Sequence, residues 1–436
     1  MIATLGTLIA RGRISGFTRH VATMSLGSFG GQGIAYCCTP LLTRFYTPLE
    51  MGAAAVIVTV ANILGQAATG KYDMAICLPE RDDEAWSVFV ISLLASFTSL
   101  ILLLMVWLTS AAQIADLFGI HHAAPWLGFV PLIVFLMGCQ QSVQMLLSRR
   151  QAWGRVSASL GFQAVGTAGG RLGFGVVGWG TTGMLLGTLC GLLVANATMV
   201  GCALRNDWRA AWASLHDWKR MRGLAARYAE FPRWFCLTSI VNGLGSAIPL
   251  FVINKVYGGE EAGRFNLAYL VVGVPASVVA SAVAQVFQQR IADQWRANLP
   301  VKPLVWALAT RLACLALPAL VVLLAFGPEL FRVAFGEKWE LAGHYARVTG
   351  VAYAVQFVIS PLSMVFHVVG AVKLSSLWKV AFFCTSLATA LAASRLPINS
   401  FLLAYAIHDV VLYSAYGWLA VSCVVRTRGR SLDRKK

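Results

Sequence analysis

Charge is what this sequence has least of. Of 436 residues, 12% are charged and only 18 are acids, while 58% are hydrophobic and the mean hydropathy is +0.69. Soluble domains carry roughly 25% charged residues, so this chain has too few to cover so much apolar surface, and a water-soluble protein is excluded. The ten cysteines lie mostly inside apolar runs, with no Cys-x-x-Cys pair and no Cys/His cluster at ligand spacing, so no metal site is expected. There is no Walker A motif and no Ser/His/Asp set at a recognisable spacing, which argues against ATP hydrolysis and nucleophilic catalysis. Residues 1–20 place their basic cluster after their apolar stretch and lack a small-residue cleavage site, so they read as a cytoplasmic lead-in. No cofactor is expected. Energy for any transport has to come from a proton or sodium gradient, from a substrate gradient, or from a partner.

What is present is a series of long apolar runs. A spanning helix needs about 20 mostly apolar residues, and twelve runs meet that: 20–43, 51–70, 86–109, 125–147, 157–178, 183–204, 234–254, 265–288, 304–327, 347–370, 374–394 and 399–424. With the N-terminus inside, alternating segments hold 26 Lys and Arg on the cytoplasmic side and seven on the other, with Arg171 and Arg311 inside spans. That asymmetry predicts both termini in the cytoplasm. The net charge of +17 is therefore a topology signal, with anionic membrane lipids as its partners and nucleic acid unnecessary.

A short stretch occurs twice. RFYTPLEMGA begins at Arg44 and KVYGGEEAGR at Lys255, 211 positions later, matching at Arg44/Lys255, Tyr46/Tyr257, Glu50/Glu261 and Gly52/Gly263. The copies follow span one and span seven, so both point the same way through the membrane. This predicts an all-α polytopic protein with two six-helix lobes in a parallel repeat, related by a pseudo-twofold along the membrane normal. The expected domains are an N-terminal bundle at 1–204, a basic Trp-rich cytoplasmic linker at 205–233, and a C-terminal bundle with a basic tail at 234–436. Two such bundles enclose a cleft, and alternating access is the usual use of that architecture.

Polar stripes mark candidate cleft walls, because lipid offers no hydrogen bonds. Span one carries Ser25, Ser28, Gln32, Tyr36, Thr39 and Thr43 at helical spacing; span two carries Thr59, Asn62, Gln66, Thr69 and Asp73; span four adds Gln140, Gln141 and Gln144. The competing reading is helix–helix glue. Arg171 and Arg311 are costly inside a bilayer and so face a cavity or a partner. A guanidinium suits phosphate, and pairing with Asp409 is the structural alternative. Asp409, beside His408, is the candidate proton-coupling site. Arg44 and Lys255, at the outer helix ends, form a cationic rim or snorkel to the interface.

RFYTPLEMGA, GKYDMAICLPERDDEA (70–85), PASVVASAVAQVFQQRIAD (275–293) and FGEKWELAGHYARVTGVAYAVQFVISPLS (335–363) together resemble segments of Wzx-type polysaccharide flippases, in the same order. These flippases belong to the multidrug/oligosaccharidyl-lipid/polysaccharide exporter superfamily. The resemblance covers nearly the whole chain but carries no individual functional residue. It implies a flippase that moves undecaprenyl-pyrophosphate-linked oligosaccharide units from the inner to the outer leaflet of a bacterial cytoplasmic membrane. The product would be O-antigen, capsule or exopolysaccharide, with a polysaccharide polymerase and a chain-length regulator as partners. Two alternatives stay open. One is an ion-coupled drug exporter of the same superfamily, which the scarcity of intramembrane acids disfavours. The other is a membrane polymerase or ligase, which would need catalytic groups on an outer loop such as 328–346.

Overall fold

The computed structural model describes residues 16–118, 121–204, 217–297 and 299–433. Arg11, Arg13 and the first part of the expected linker lie outside the described residues. Twelve long helices run through the rest, with no strand among the described residues. They are α1 (Gly16–Phe45), α2 (Pro48–Gly65), α3 (Asp82–Phe118), α4 (Phe129–Arg149), α5 (Trp153–Val176) and α6 (Gly180–Leu204). Then follow α7 (Cys236–Tyr257), α8 (Gly259–Arg296, with a π turn at Tyr269–Gly273), α9 (Lys302–Phe335), α10 (Glu340–Ile359), α11 (Val372–Ala393) and α12 (Ile398–Asp433). Ten are long and apolar enough to cross a membrane; α1 and α5, which carry more polar residues and glycine, are not among those ten. The chain is an all-α, multi-pass membrane protein.

The repeated stretch starts a helix each time. In the first copy Thr47 N–H donates to Glu50 Oε2 at 2.8 Å and Glu50 N–H donates to Thr47 Oγ1 at 3.3 Å, a reciprocal cap ahead of α2. Pro48 stands at the first helical position, where its missing N–H costs nothing. In the second copy Gly258, at φ +99°, makes the sharp entry to α8, and Glu260 and Glu261 fill the first turn, where negative charge is favoured.

Several helices outrun the hydrocarbon. α3 has 37 residues, roughly 56 Å at the standard rise, and leaves helical geometry at Ser110 (φ −136°), past its apolar run. That run begins at Ala85, so Asp82, Asp83 and Glu84 form a charged first turn outside it. The expected outer loop at 328–346 is corrected: α9 continues to Phe335 and α10 starts at Glu340, leaving only Gly336 to Trp339 between them. Polar residues at a helix end can stay helical once they reach the interface, a point hydropathy does not register.

The chain forms two compact units. One runs to Tyr46 and resumes over Ala53–Gly243; the other comprises Thr47–Gly52 and the chain from Leu244 onward. The described part of the expected linker folds with the first unit. There the short helix Trp218–Arg227 buries Met221 and Leu224 among Trp86, Leu147, Val156 and Met199. In the same unit α5 and α6 meet through glycines four apart. A Cβ on Gly170 would lie 2.8 Å from the Gly187 Cα, and one on Gly166 would lie 3.2 Å from the Gly191 Cα. Small residues at this spacing let membrane helices approach closely. In the second unit Phe287, Ile291, Val305, Phe366 and Tyr416 form a core joining α8, α9 and α12.

Candidate functional site

Arg171 lies on α5, which the glycines bring against α6; a Cβ on Gly187 would stand 2.5 Å from the Arg171 nitrogen. Its Nη2 donates to Thr188 Oγ1 at 2.9 Å, and its Nε is buried with no hydrogen-bond partner. A buried, unused guanidinium N–H is a donor awaiting an acceptor. Arg171 stands five residues from the end of α5, about 8 Å of rise. It is level with Tyr46, whose hydroxyl donates to the Arg171 carbonyl at 2.6 Å.

The stripe of span two is split. α2 stops at Gly65, whose carbonyl accepts from Gln141 Nε2 at 3.0 Å, and the chain then turns through Gly70 and Lys71 at positive φ. Before the break, Asn62 is exposed and Gln66 half-buried. Beyond it Asp73 is buried and accepts from Thr69 Oγ1 at 2.5 Å, so these two satisfy one another. Of span one, Gln32 is exposed, while Thr39 and Thr43 donate back to carbonyls of their own helix. The Ser25 and Ser28 side chains fall outside the described residues. On α4, Gln144 is half-buried and Gln140 donates to Gln163 Oε1 at 2.7 Å. Gln32, Asn62 and Gln66 thus keep polar surface within the first unit, whereas Thr69, Asp73 and Gln140 act as glue.

In the second unit His408 Nδ1 lies 3.0 Å from Asp409 Oδ1, and His408 Nε2 lies 3.0 Å from Thr385 Oγ1 on α11. Thr385 already donates its hydroxyl proton to the Ala381 carbonyl at 2.8 Å. The imidazole must therefore be the donor to Thr385 through Nε2–H. The other contact is then a hydrogen bond only if a second proton sits on Nδ1 or on the carboxyl. The rings of Tyr405 and Phe382 stand 5.7 and 5.6 Å from the imidazole, and Tyr405 Oη lies 2.8 Å from Ser386 Oγ. Thr385 and the tyrosines were missed in the sequence, although Tyr405, Asp409, Tyr413 and Tyr416 recur at four, four and three, one face of α12. Arg311 is exposed on α9, and Arg44 and Lys255 are exposed in the last turns of α1 and α7.

Residues 41–343 match the sequence model of a family described as "Polysaccharide biosynthesis protein". The chain belongs to this family. Among similar proteins, the succinoglycan biosynthesis transport protein ExoT of Rhizobium meliloti is 25% identical over 338 residues, 74% of this chain and 64% of the relative. The lipopolysaccharide biosynthesis protein WzxC of Escherichia coli is 26% identical over 111 residues, 26% of this chain and 23% of the relative. The chain thus spans less than two thirds of these relatives' lengths. The fold is that of the lipid II flippase MurJ in an inward closed conformation, with a TM-score of 0.70 at 13% identity, covering 95% of this chain and 90% of that one. It is shared too by an inward-facing multidrug resistance MATE family transporter, with a TM-score of 0.62 at 16% identity, covering 93% and 96%.

Proposed function

We propose that this protein is a flippase that carries a polyprenyl-pyrophosphate-linked oligosaccharide from the inner to the outer leaflet of a bacterial cytoplasmic membrane by alternating access. Both termini are then cytoplasmic, and a polymerase with its chain-length regulator takes the product. The observation that carries this reading is membership of a polysaccharide biosynthesis family on a fold shared, over 95% of the chain, with a lipid II flippase. The physics agrees. A sugar pyrophosphate cannot cross hydrocarbon unaided, because burying unpaired charge and hydroxyls costs many kcal/mol, whereas the polyprenyl tail never has to leave lipid. In this reading the buried Nε–H of Arg171 meets a phosphate oxygen, with Gln32, Asn62, Gln66 and Gln144 available to sugar hydroxyls. The His408–Asp409 pair exchanges a proton to drive the cycle.

Deleting the gene tests this. Surface polymer is expected to vanish, lipid-linked units to accumulate at the inner leaflet, and drug resistance to stay unchanged. Altered drug resistance with intact surface glycan would overturn it in favour of an exporter.

A further inference from the structure

At the end of the first unit where α3 begins and α4 ends, a cavity of about 540 Å³ opens between Cys77, Asp82, Trp86, Leu146, Arg149 and Arg150. Nothing in transport as described above uses it. Arg149 is fixed there by its own chain: Nη1 donates to the carbonyl of Pro79 at 2.7 Å and of Ile76 at 3.4 Å, and Nη2 donates to the carbonyl of Glu80 at 3.3 Å. Its side chain is 17% exposed. Nη2 also holds Asp82 Oδ1 at 2.9 Å, yet the Asp82 side chain is 89% exposed. A bridge to so exposed a carboxylate contributes little and is screened by salt. Arg150 places its guanidinium 5.2 Å from the centre of the Trp86 ring.

Two guanidiniums, one pre-positioned and one stacked on an aromatic face, thus share a wall with a loosely held carboxylate. The depth is informative. Trp86 opens the apolar run of α3, and Leu146, buried beside it, belongs to the core beneath. The cavity therefore sits where hydrocarbon gives way to headgroups, the level favoured by tryptophan and by basic pockets that take lipid headgroups. A guanidinium fork matches two oxygens of a phosphate.

We propose that this cavity binds the phosphate of a membrane lipid, with Arg149 and Arg150 as its ligands and Asp82 as the counter-ion that the phosphate displaces. The proposal rests on the flippase reading only in placing this end of the unit at the inner leaflet. The phosphate can come from a bulk anionic lipid or from a polyprenyl pyrophosphate arriving to be loaded.

Cys77 is an exposed reporter on the cavity wall. Burial raises its thiol pKa and Arg149 lowers it, so a phosphate that neutralises Arg149 both covers the thiol and suppresses its thiolate. The full chain, with its nine other cysteines changed to alanine, would be placed in nanodiscs of three compositions. These are phosphatidylcholine alone, phosphatidylcholine with phosphatidylglycerol, and phosphatidylcholine with undecaprenyl pyrophosphate. The rate of maleimide reaction at Cys77 is expected to fall about threefold or more in at least one phosphate-bearing disc, as a half-unit rise in thiol pKa would give. Protection by phosphatidylglycerol identifies a resident lipid site; protection by undecaprenyl pyrophosphate alone identifies a loading site. Asp82→Asn should strengthen protection and Arg150→Gln abolish it, both at exposed side chains that leave the Arg149 clamp in place. Equal rates in all three discs, or protection that survives Arg150→Gln, would overturn the proposal. Intact protection in a protein that flips no lipid-linked glycan in the same discs would count against the flippase reading and leave this site standing.

Discussion

The hydroxyl of Tyr46 donates to the carbonyl oxygen of Arg171 at 2.6 Å. Tyr257, its counterpart in the repeated stretch, donates to the carbonyl of Leu396 at 2.7 Å, just past the end of α11. Each tyrosine thus ties the turn after the first helix of its half to the end of the fifth. Tyr46→Phe should lower stability by about 1 kcal/mol, the usual net value of such a bond, measured as the shift in unfolding midpoint in detergent. Tyr46→Ala should cost about 3–5 kcal/mol, because the ring is fully buried.

Arg171→Ala should reduce delivery of glycan to the outer surface about tenfold or more, the worth of a hydrogen bond to a charged group. Arg171→Lys should be intermediate, keeping the charge but not the fork that reaches Thr188. Surface polymer at limiting expression measures both, and wild-type output from Arg171→Ala would remove this residue from the transport path.

Asp409→Asn should leave a folded protein whose transport no longer responds to an imposed proton gradient, since an amide cannot exchange the proton that the His408 contact requires. Uptake into vesicles with and without a pH jump is the measurement. A normal response would assign the His408–Asp409 pair to structure alone.

These sites were unequally legible in the sequence. The all-α, multi-pass architecture came through because length and apolarity are summed over many residues, which no single contact can reverse, although α1 and α5 fall short of the ten helices apolar enough to span. The stripe of span two misled at Asp73, because helical spacing was continued past Gly65, and what stops α2 there is a turn braced by Gln141 from another helix. Thr385 could not be read as the partner of His408, 23 positions away, until α11 and α12 were packed. The Arg149 clamp was invisible for the same reason: its acceptors are backbone carbonyls, which leave no trace in side-chain pattern.

The short helix Trp218–Arg227 is tethered by a pH-sensitive contact. Asp83 accepts from Arg220 and Arg81, at 2.8 and 2.9 Å, and their hydrogen bonds, that from Arg220 foremost, hold its pKa down at about 2. A depressed carboxyl pKa stabilises docking above the unfolded value of about 3.9 and loses that contribution as pH falls toward 2. Proteolysis within Trp218–Arg227 should therefore accelerate across that interval, and Asp83→Asn should show the faster cleavage at every pH.

Gly52→Ala and Gly263→Ala should each cripple folding, seen as loss of monodisperse protein after extraction. The added Cβ would meet the Gly259 carbonyl oxygen in the first case and the Pro48 carbonyl oxygen in the second, and backbone cannot swing aside. Gly161→Ala, with nothing within 4 Å, should be tolerated or slightly stabilising as a better helix former.

Those two glycines also face each other. A Cβ on Gly52 would stand 2.8 Å from the Gly263 nitrogen, and one on Gly263 would stand 3.0 Å from the Gly52 nitrogen. Reciprocity of this sort is how identical subunits touch about a dyad. Neither glycine can therefore enlarge alone, because its opposite number has no side chain to trim in exchange, and a substitution at one turn is felt by the backbone of the other.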